Sequence, residues 1–297
     1  MVLGAARRAR YPSAMKLSLI DAFTTTAGAG NRAGFCREGD DHDDRARQRA
    51  AAALAVSETA FVVTPPAGAD ACLRYFTPTQ EVPFCGHATV AALHRLAELG
   101  EVAVGRELVL DTRAGRQGFR LEREGDGVRV WLSTPQYPFR DSPVEERVLL
   151  AALGGEAGML DRELPVRHAG PKLLVPFRRR ADLFGLAPRW GEVAALAEVG
   201  VLGVFAFTRD TVEPDSVAHG RFFAPAQGIR EDPVTGAANG PLAAYLVAQG
   251  VLSKPARAQA EQGDAMGKPG RVALAVDEEG GVRIGGRAVT VLVGETA

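Results

Sequence analysis

The sequence is poor in several features that would place it in a specialised class of protein. It has three cysteines among 297 residues, and Cys36, Cys72 and Cys85 are too few and too scattered for a disulfide framework or a zinc site. Neither sign of charge is in clear excess, with 35 basic and 36 acidic residues, so nothing indicates a nucleic-acid surface. No apolar run reaches the roughly 18 residues of a membrane-spanning helix. These absences predict a cytoplasmic protein that binds neither nucleic acid nor membrane.

What is present is an ordinary globular composition, with 46% hydrophobic and 24% charged residues. Residues 1–14 contain arginines without the apolar segment of a secretory signal, and we predict that they form a disordered extension. The remainder is expected to divide into an N-terminal lobe at 15–134 and a C-terminal lobe at 135–297, whose last strand can return to the first lobe.

Both halves contain short strands and one alanine-rich helix. The helices are predicted at "GHATVAALHRLAELG" and "GAANGPLAAYLVAQGVL", and each follows a strand and a glycine-containing turn. Segments such as "TAFVV" and "VRVWLS" have the β-branched and aromatic content typical of strands. The pattern indicates a duplicated α+β lobe, although the sequence identity between the halves is weak.

The two helix starts are candidates for an anion site. The first backbone N–H groups of a helix lack an intrahelical partner, and the helix dipole adds partial positive charge there. Glycine lets a ligand approach the backbone, so Gly86–His87 and Gly236–Ala237 are expected to bind a carboxylate. The alternative is that Gly86 and Gly236 only shape turns.

Three ionisable residues accompany these helix starts. His87 can titrate near neutral pH, and Asp232 can position a proton or a substrate amine, but a core histidine and a helix-capping carboxylate are the alternatives. Glu58 lies between apolar stretches, where burial would suit it as a base near pH 7, although an exposed turn glutamate is the alternative. Cys85 has no cysteine counterpart near Thr235, so a two-thiol racemase is disfavoured and Cys85 is interpreted as a small buried residue.

Five blocks resemble the phenazine-biosynthesis PhzF-like family from about Met15 to the C-terminus, in the family's order. They are "IDAFTTTAGAGNRAGF", "SETAFV", "PFCGHATVAA", "RFFAPAQGIREDPVTGAANGPLAAYL" and "EQGDAMGKPGRVALAV". The resemblance implies the diaminopimelate epimerase-like fold, an α+β fold of two pseudo-symmetric lobes, each a barrel-like sheet around a central helix. It also implies a cofactor-independent isomerase and allows a homodimer.

The resemblance assigns roles to residues of this chain. Glu58 is implied as the general acid/base, and His87 and Asp232 as substrate-orienting residues, with Glu231, Asp232 and the glycines forming the second wall of the cleft. No metal and no organic cofactor is implied, and the expected partner is a small substrate with a carboxylate. The namesake's substrate is trans-2,3-dihydro-3-hydroxyanthranilate.

Two departures from the family pattern put that substrate in doubt. Ala237 stands where the family usually has serine, and Arg32 replaces the proline of the "GNPAAV" found in many relatives. An amino-acid epimerase or racemase and a metabolite-binding protein without turnover therefore stay open as alternatives.

Overall fold

The structure is a computed structural model that describes residues 14–37 and 39–296. Residues 1–13 of the predicted disordered extension lie outside the described residues. Within the described ranges the protein has one large mixed sheet and few helices, which confirms the α+β prediction. None of the described helices combines the length and the apolar character needed to cross a membrane.

The first half of the chain carries eight described strands and two α-helices. In order these are β1 (Lys16–Ala22), β2 (Asn31–Cys36), α1 (Asp44–Leu54), β3 (Thr59–Val63), β4 (Ala71–Phe76), β5 (Glu81–Val82), α2 (Gly86–Glu98), β6 (Glu107–Thr112), β7 (Gly115–Glu124) and β8 (Gly127–Ser133).

The second half carries ten described strands and four α-helices. In order these are β9 (Phe139–Asp141), α3 (Glu146–Leu153), β10 (Arg167–Ala169), β11 (Lys172–Phe177), α4 (Arg180–Phe184), α5 (Trp190–Ala195), β12 (Gly203–Thr208), β13 (Ser216–Ala224), β14 (Ile229–Asp232), α6 (Gly236–Ala248), β15 (Ala256–Gln262), β16 (Gly270–Val276), β17 (Val282–Gly286) and β18 (Ala288–Glu295).

Strand pairing repeats between the halves. In the first half, β1, β2, β3, β4, β6, β7 and β8 pair in that order, and β2–β3 and β4–β6 are the parallel pairs. In the second, β10, β11, β12, β13, β15, β16 and β17 pair in order, and β11–β12 and β13–β15 are parallel. Parallel and antiparallel pairs therefore occur in the same order in both halves, as expected for a duplicated lobe.

Two pairings connect the halves. Strand β17 pairs antiparallel with β8, and β18 pairs antiparallel with β1 along its whole length, from Lys16 opposite Glu295 to Ala22 opposite Ala288. The C-terminal strand therefore lies beside the first strand. The lobe boundary at 134/135 stays a prediction.

Helices α2 and α6 occupy the centre of the fold. Helix α2 packs against β1, β2, β3, β8 and β18, and α6 packs against β16 and β17. Their alanines and glycines are mostly buried and keep the side-chain layer thin, so strands can surround each helix closely. Both helices contribute to one apolar core, which fixes the position of their N-termini.

Candidate active site

The N-termini of α2 and α6 open onto one cavity of about 190 Å³. It is lined by the six residues predicted to be catalytic or substrate-binding: Glu58, Gly86, His87, Asp232, Gly236 and Ala237. Short hairpins precede both helices, β4–β5 before α2 and β13–β14 before α6. The duplicated lobe thus brings together residues that lie up to 179 positions apart in the sequence, from Glu58 to Ala237.

Glu58 lies on the short connection between α1 and β3. Helix α1 ends at Ala55 in the left-handed conformation, and the Gly34 backbone N–H donates to the Glu58 carbonyl at 2.9 Å, which fixes the chain at this point. The Glu58 side chain is 13% exposed. Its Oε2 is buried and has no hydrogen-bond partner among the described residues. This oxygen is available to a ligand that enters the cavity.

His87 sits among three polar neighbours. Its Nε2 lies 3.4 Å from Glu58 Oε2, a charge contact without hydrogen-bond geometry, and 3.1 Å from the Ser57 hydroxyl. Its Nδ1 lies 3.3 Å from the Cys85 sulfur. The histidine is therefore held on both sides of its ring, and Ser57 is a neighbour that sequence reasoning missed.

The Cys85 thiol stays protonated in this environment. Burial, and then the negative charge of Glu58, raise the pKa of Cys85 well above its ordinary value, although the Ala88 backbone N–H opposes the shift. A protonated thiol can donate to His87 Nδ1, and the other ring nitrogen, Nε2, faces Glu58 and Ser57. Cys85 is buried, as the sequence predicted, and it also contacts the histidine of the cavity.

Asp232 is held by hydrogen bonds from both lobes. Asn31 Nδ2 of β2 donates to its Oδ1 at 2.8 Å, and the Thr235 hydroxyl donates to its other oxygen. Gln262 of β15 donates to the Asp232 carbonyl at 2.8 Å. Burial raises the pKa of Asp232, while the nearby His87 acts in the opposite direction. Sequence reasoning missed Asn31 and Gln262, although Asn31 lies in the quoted "GNRAGF" segment.

The two helix starts differ in the space around their glycines. Neither preceding residue, Cys85 or Thr235, forms a side-chain cap of its helix, so the N–H groups of Gly86–His87 and Gly236–Ala237 stay available to a ligand. A methyl group on Gly86 would meet only Phe84, at 4.0 Å. A methyl group on Gly236 would lie 2.5 Å from Ile284. Gly236 is therefore also a packing requirement.

Glu231 does not belong to the cavity. The prediction that Glu231 and Asp232 both form the second wall of the cleft is therefore wrong for Glu231. Its carboxylate instead forms a bidentate ion pair with Arg221, with both contacts at 2.8 Å. Arg32, the departure from the family's proline, likewise pairs with Asp21 at 2.7 and 2.9 Å and does not line the cavity. Ala237 does line it.

A possible set of metal ligands exists that the sequence did not reveal. One ligand atom each from Glu58, Cys85 and His87 lie within 4.8 Å of one another. The protonated thiol and the two engaged nitrogens of His87 fit a hydrogen-bonded arrangement better than a metal centre, which needs a thiolate and a free ring nitrogen.

Comparison with known proteins places this site in a family. The family model described as "Phenazine biosynthesis-like protein" matches residues 20–294. The chain belongs to the PhzF family. The resemblance stated from its motifs is confirmed, and the solved structure of the Bacillus anthracis PhzF-family protein covers 96% of this chain and 99% of its own with a TM-score of 0.88 and 28% identity.

Relatives of this PhzF-family chain carry isomerase names. An uncharacterized isomerase from Deinococcus radiodurans is 39% identical over 283 residues, covering 91% of this chain and 90% of the relative. A trans-2,3-dihydro-3-hydroxyanthranilate isomerase from Pseudomonas fluorescens is 30% identical over 253 residues, covering 84% and 86%. Isomerase is therefore the class of enzyme that the comparisons support, and PhzF-family structures support the fold that the resemblance implied.

Proposed function

We propose that this protein is a cofactor-independent isomerase that moves a proton on a small, carboxylate-bearing metabolite. The observation that carries the proposal is the Glu58 carboxylate, whose buried Oε2 has no hydrogen-bond partner among the described residues and lines the cavity between the two helix starts. A buried carboxylate oxygen without a hydrogen bond destabilises the folded protein, and a bound ligand that donates to it would offset that cost.

The mechanism follows from this arrangement. Glu58 removes a proton from a carbon that is acidified by conjugation or by an adjacent carbonyl, and the electron pair delocalises into the substrate. The protonated Glu58 then returns the same proton to another carbon, so the reaction is redox-neutral. His87 and Asp232 orient the substrate, and the N–H groups of Gly86–His87 and Gly236–Ala237 bind its carboxylate.

The cavity size restricts the substrate. A volume of about 190 Å³ is below the roughly 300–1,000 Å³ of sites for drug-sized ligands, which fits a metabolite with one ring or a short chain. The Pseudomonas relative is named for its action on trans-2,3-dihydro-3-hydroxyanthranilate, so this is the first compound to test. Turnover of this compound would imply a role in phenazine biosynthesis.

A specific observation disfavours an epimerase. Cys85 and Thr235 occupy equivalent positions, each immediately before its central helix, and the threonine hydroxyl is far too weak an acid to act as the second thiol.

A binding protein without turnover is the other alternative to an isomerase. Wild-type protein in heavy water discriminates between them, because an isomerase exchanges a substrate C–H for deuterium while a binding protein does not. Absence of exchange and of product with every ligand shown to bind would reject the isomerase.

The remaining parts of the proposal concern the state of the protein. We propose that it works without metal in the cytoplasm, and that it forms a homodimer. Activity that survives chelation supports the first point, whereas loss of turnover restored by one specific metal contradicts it and would assign Glu58, Cys85 and His87 as ligands. Sedimentation velocity tests the dimer.

A further inference from the structure

One cation in the cavity has no role in the mechanism above. Lys172 begins β11 and lines the same cavity as Glu58, His87 and Asp232. The chain has four lysines among its 35 basic residues. The other three are exposed, whereas Lys172 is half-buried.

The Lys172 ammonium has no anionic partner. Among residues 14–37 and 39–296 it forms neither an ion pair nor a hydrogen bond, and burial alone lowers its pKa. The nearby arginines of the fold are neutralised, as Arg221 is by Glu231 and Arg32 is by Asp21. Partial removal of an unpaired cation from water is unfavourable, and a bound anion would offset that cost.

Lys172 approaches the cavity from a different strand than Asp232 does. Lys172 pairs with Gly203 of β12, and β12 is followed in the sheet by β13 and then by β14, which ends at Asp232. Leu202 and Phe222 line the cavity as well, so an apolar wall lies along this part of it.

We propose that Lys172 is a specificity-determining residue that binds a second anionic group of the substrate, which makes the substrate a small dicarboxylic acid. The inference rests on the proposed function for the position of the first carboxylate, at the helix starts. It predicts a substrate other than an anthranilate derivative, which has a single carboxylate.

The test compares acids of matched length by calorimetry. The pairs are butyrate with succinate, valerate with glutarate, and hexanoate with adipate. We expect at least one dicarboxylate to bind the wild type about 10-fold or more tightly than its partner, since one charge-assisted contact separates them. Lys172→Met should reduce that ratio to about 1, while Lys172→Arg should largely keep it. Lys268→Met, at an exposed lysine outside the cavity, is the control.

The outcomes separate this inference from the proposed function. If monocarboxylates bind and no dicarboxylate is preferred, or if Lys172→Met keeps the preference, the role of Lys172 is rejected. If no acid of either kind binds, the carboxylate site of the proposed function fails, and the inference fails with it. The Glu58→Gln variant should keep the preference even if it cannot exchange protons, because the ammonium and the base are different groups.

Discussion

His87 is the residue on which the hydrogen bonding of the cavity depends. Cys85 at one ring nitrogen, and Ser57 with Glu58 at the other, fix the orientation of the ring. His87 Nε2 faces the proposed base, with 3.4 Å between it and Glu58 Oε2. Cys85 acts through His87, so it is a positioning residue.

Replacement of Cys85 tests this arrangement. Cys85→Ser keeps a donor for His87 Nδ1 and should retain most of the activity, because no thiol chemistry is required. Cys85→Ala removes the donor and should lower turnover by about 10-fold, the loss expected for about 1.4 kcal/mol of transition-state stabilisation. The pH profile of kcat/KM should change in the alanine variant alone. Complete inactivity of a correctly folded serine variant would instead indicate a thiol mechanism.

At this scale the sequence predicted some residues and missed others. Glu58, His87 and Asp232 lie in recognisable short blocks, so their placement at one cavity could be anticipated from the family resemblance. Lys172 lines the cavity from β11, and Asn31 of β2 donates a hydrogen bond to Asp232 across 201 positions. No local pattern specifies such a partner, because it depends on how β2 and β14 align.

Among the elements, α2 and α6 use their first glycines differently. Gly86→Ala should leave folding unaffected, since the new methyl group meets only Phe84 at 4.0 Å. The methyl group would occupy the approach to the first N–H groups of α2, so carboxylate affinity should fall by about 10-fold, or about 1.4 kcal/mol. Calorimetry with the best-binding acid measures this change, and unchanged affinity would mean that the ligand does not use this helix start.

The strands and the two central helices could be predicted from local composition, because their apolar periodicity and turn residues agree with the fold. Helix α3 was not predicted, although local signals for it are present: Glu146 lies in its first turn, and Gly154 takes the left-handed conformation at its C-cap. It also packs with α5 in an apolar cluster separate from the main core.

For the whole molecule, the buried pair of His219 and Glu261 links stability to pH. Burial alone would raise the pKa of Glu261, but hydrogen bonds from His219 and from the backbone N–H groups of Val212 and Glu213 outweigh it and lower the pKa to about 2. A carboxyl with a lowered folded-state pKa stabilises the protein above its unfolded pKa of 4.5, and that contribution is lost as the pH falls towards 2.

Glu261→Gln should therefore reduce the free energy of unfolding by about 3 kcal/mol at pH 7, on the scale of 1.36 kcal/mol for each pKa unit. The difference from wild type should shrink steadily between pH 4.5 and the lowest pH at which the protein stays folded. Urea unfolding at several pH values measures it, with Glu279→Gln as an exposed control. A difference that does not depend on pH would mean that the lost stability comes from packing.

The pairing of β1 with β18 and the duplicated strand order close the two halves around one cavity, and the account of that cavity depends on Glu58. The most direct test is deuterium incorporation from heavy water into a confirmed substrate by the wild type, Glu58→Gln and Glu279→Gln proteins. Glutamine keeps the size of the side chain but cannot accept and return a proton, so exchange should fall by about 10²–10⁴-fold in Glu58→Gln, with substrate binding retained and the control unchanged. Exchange by Glu58→Gln at the wild-type rate would contradict the assignment of Glu58 as the base.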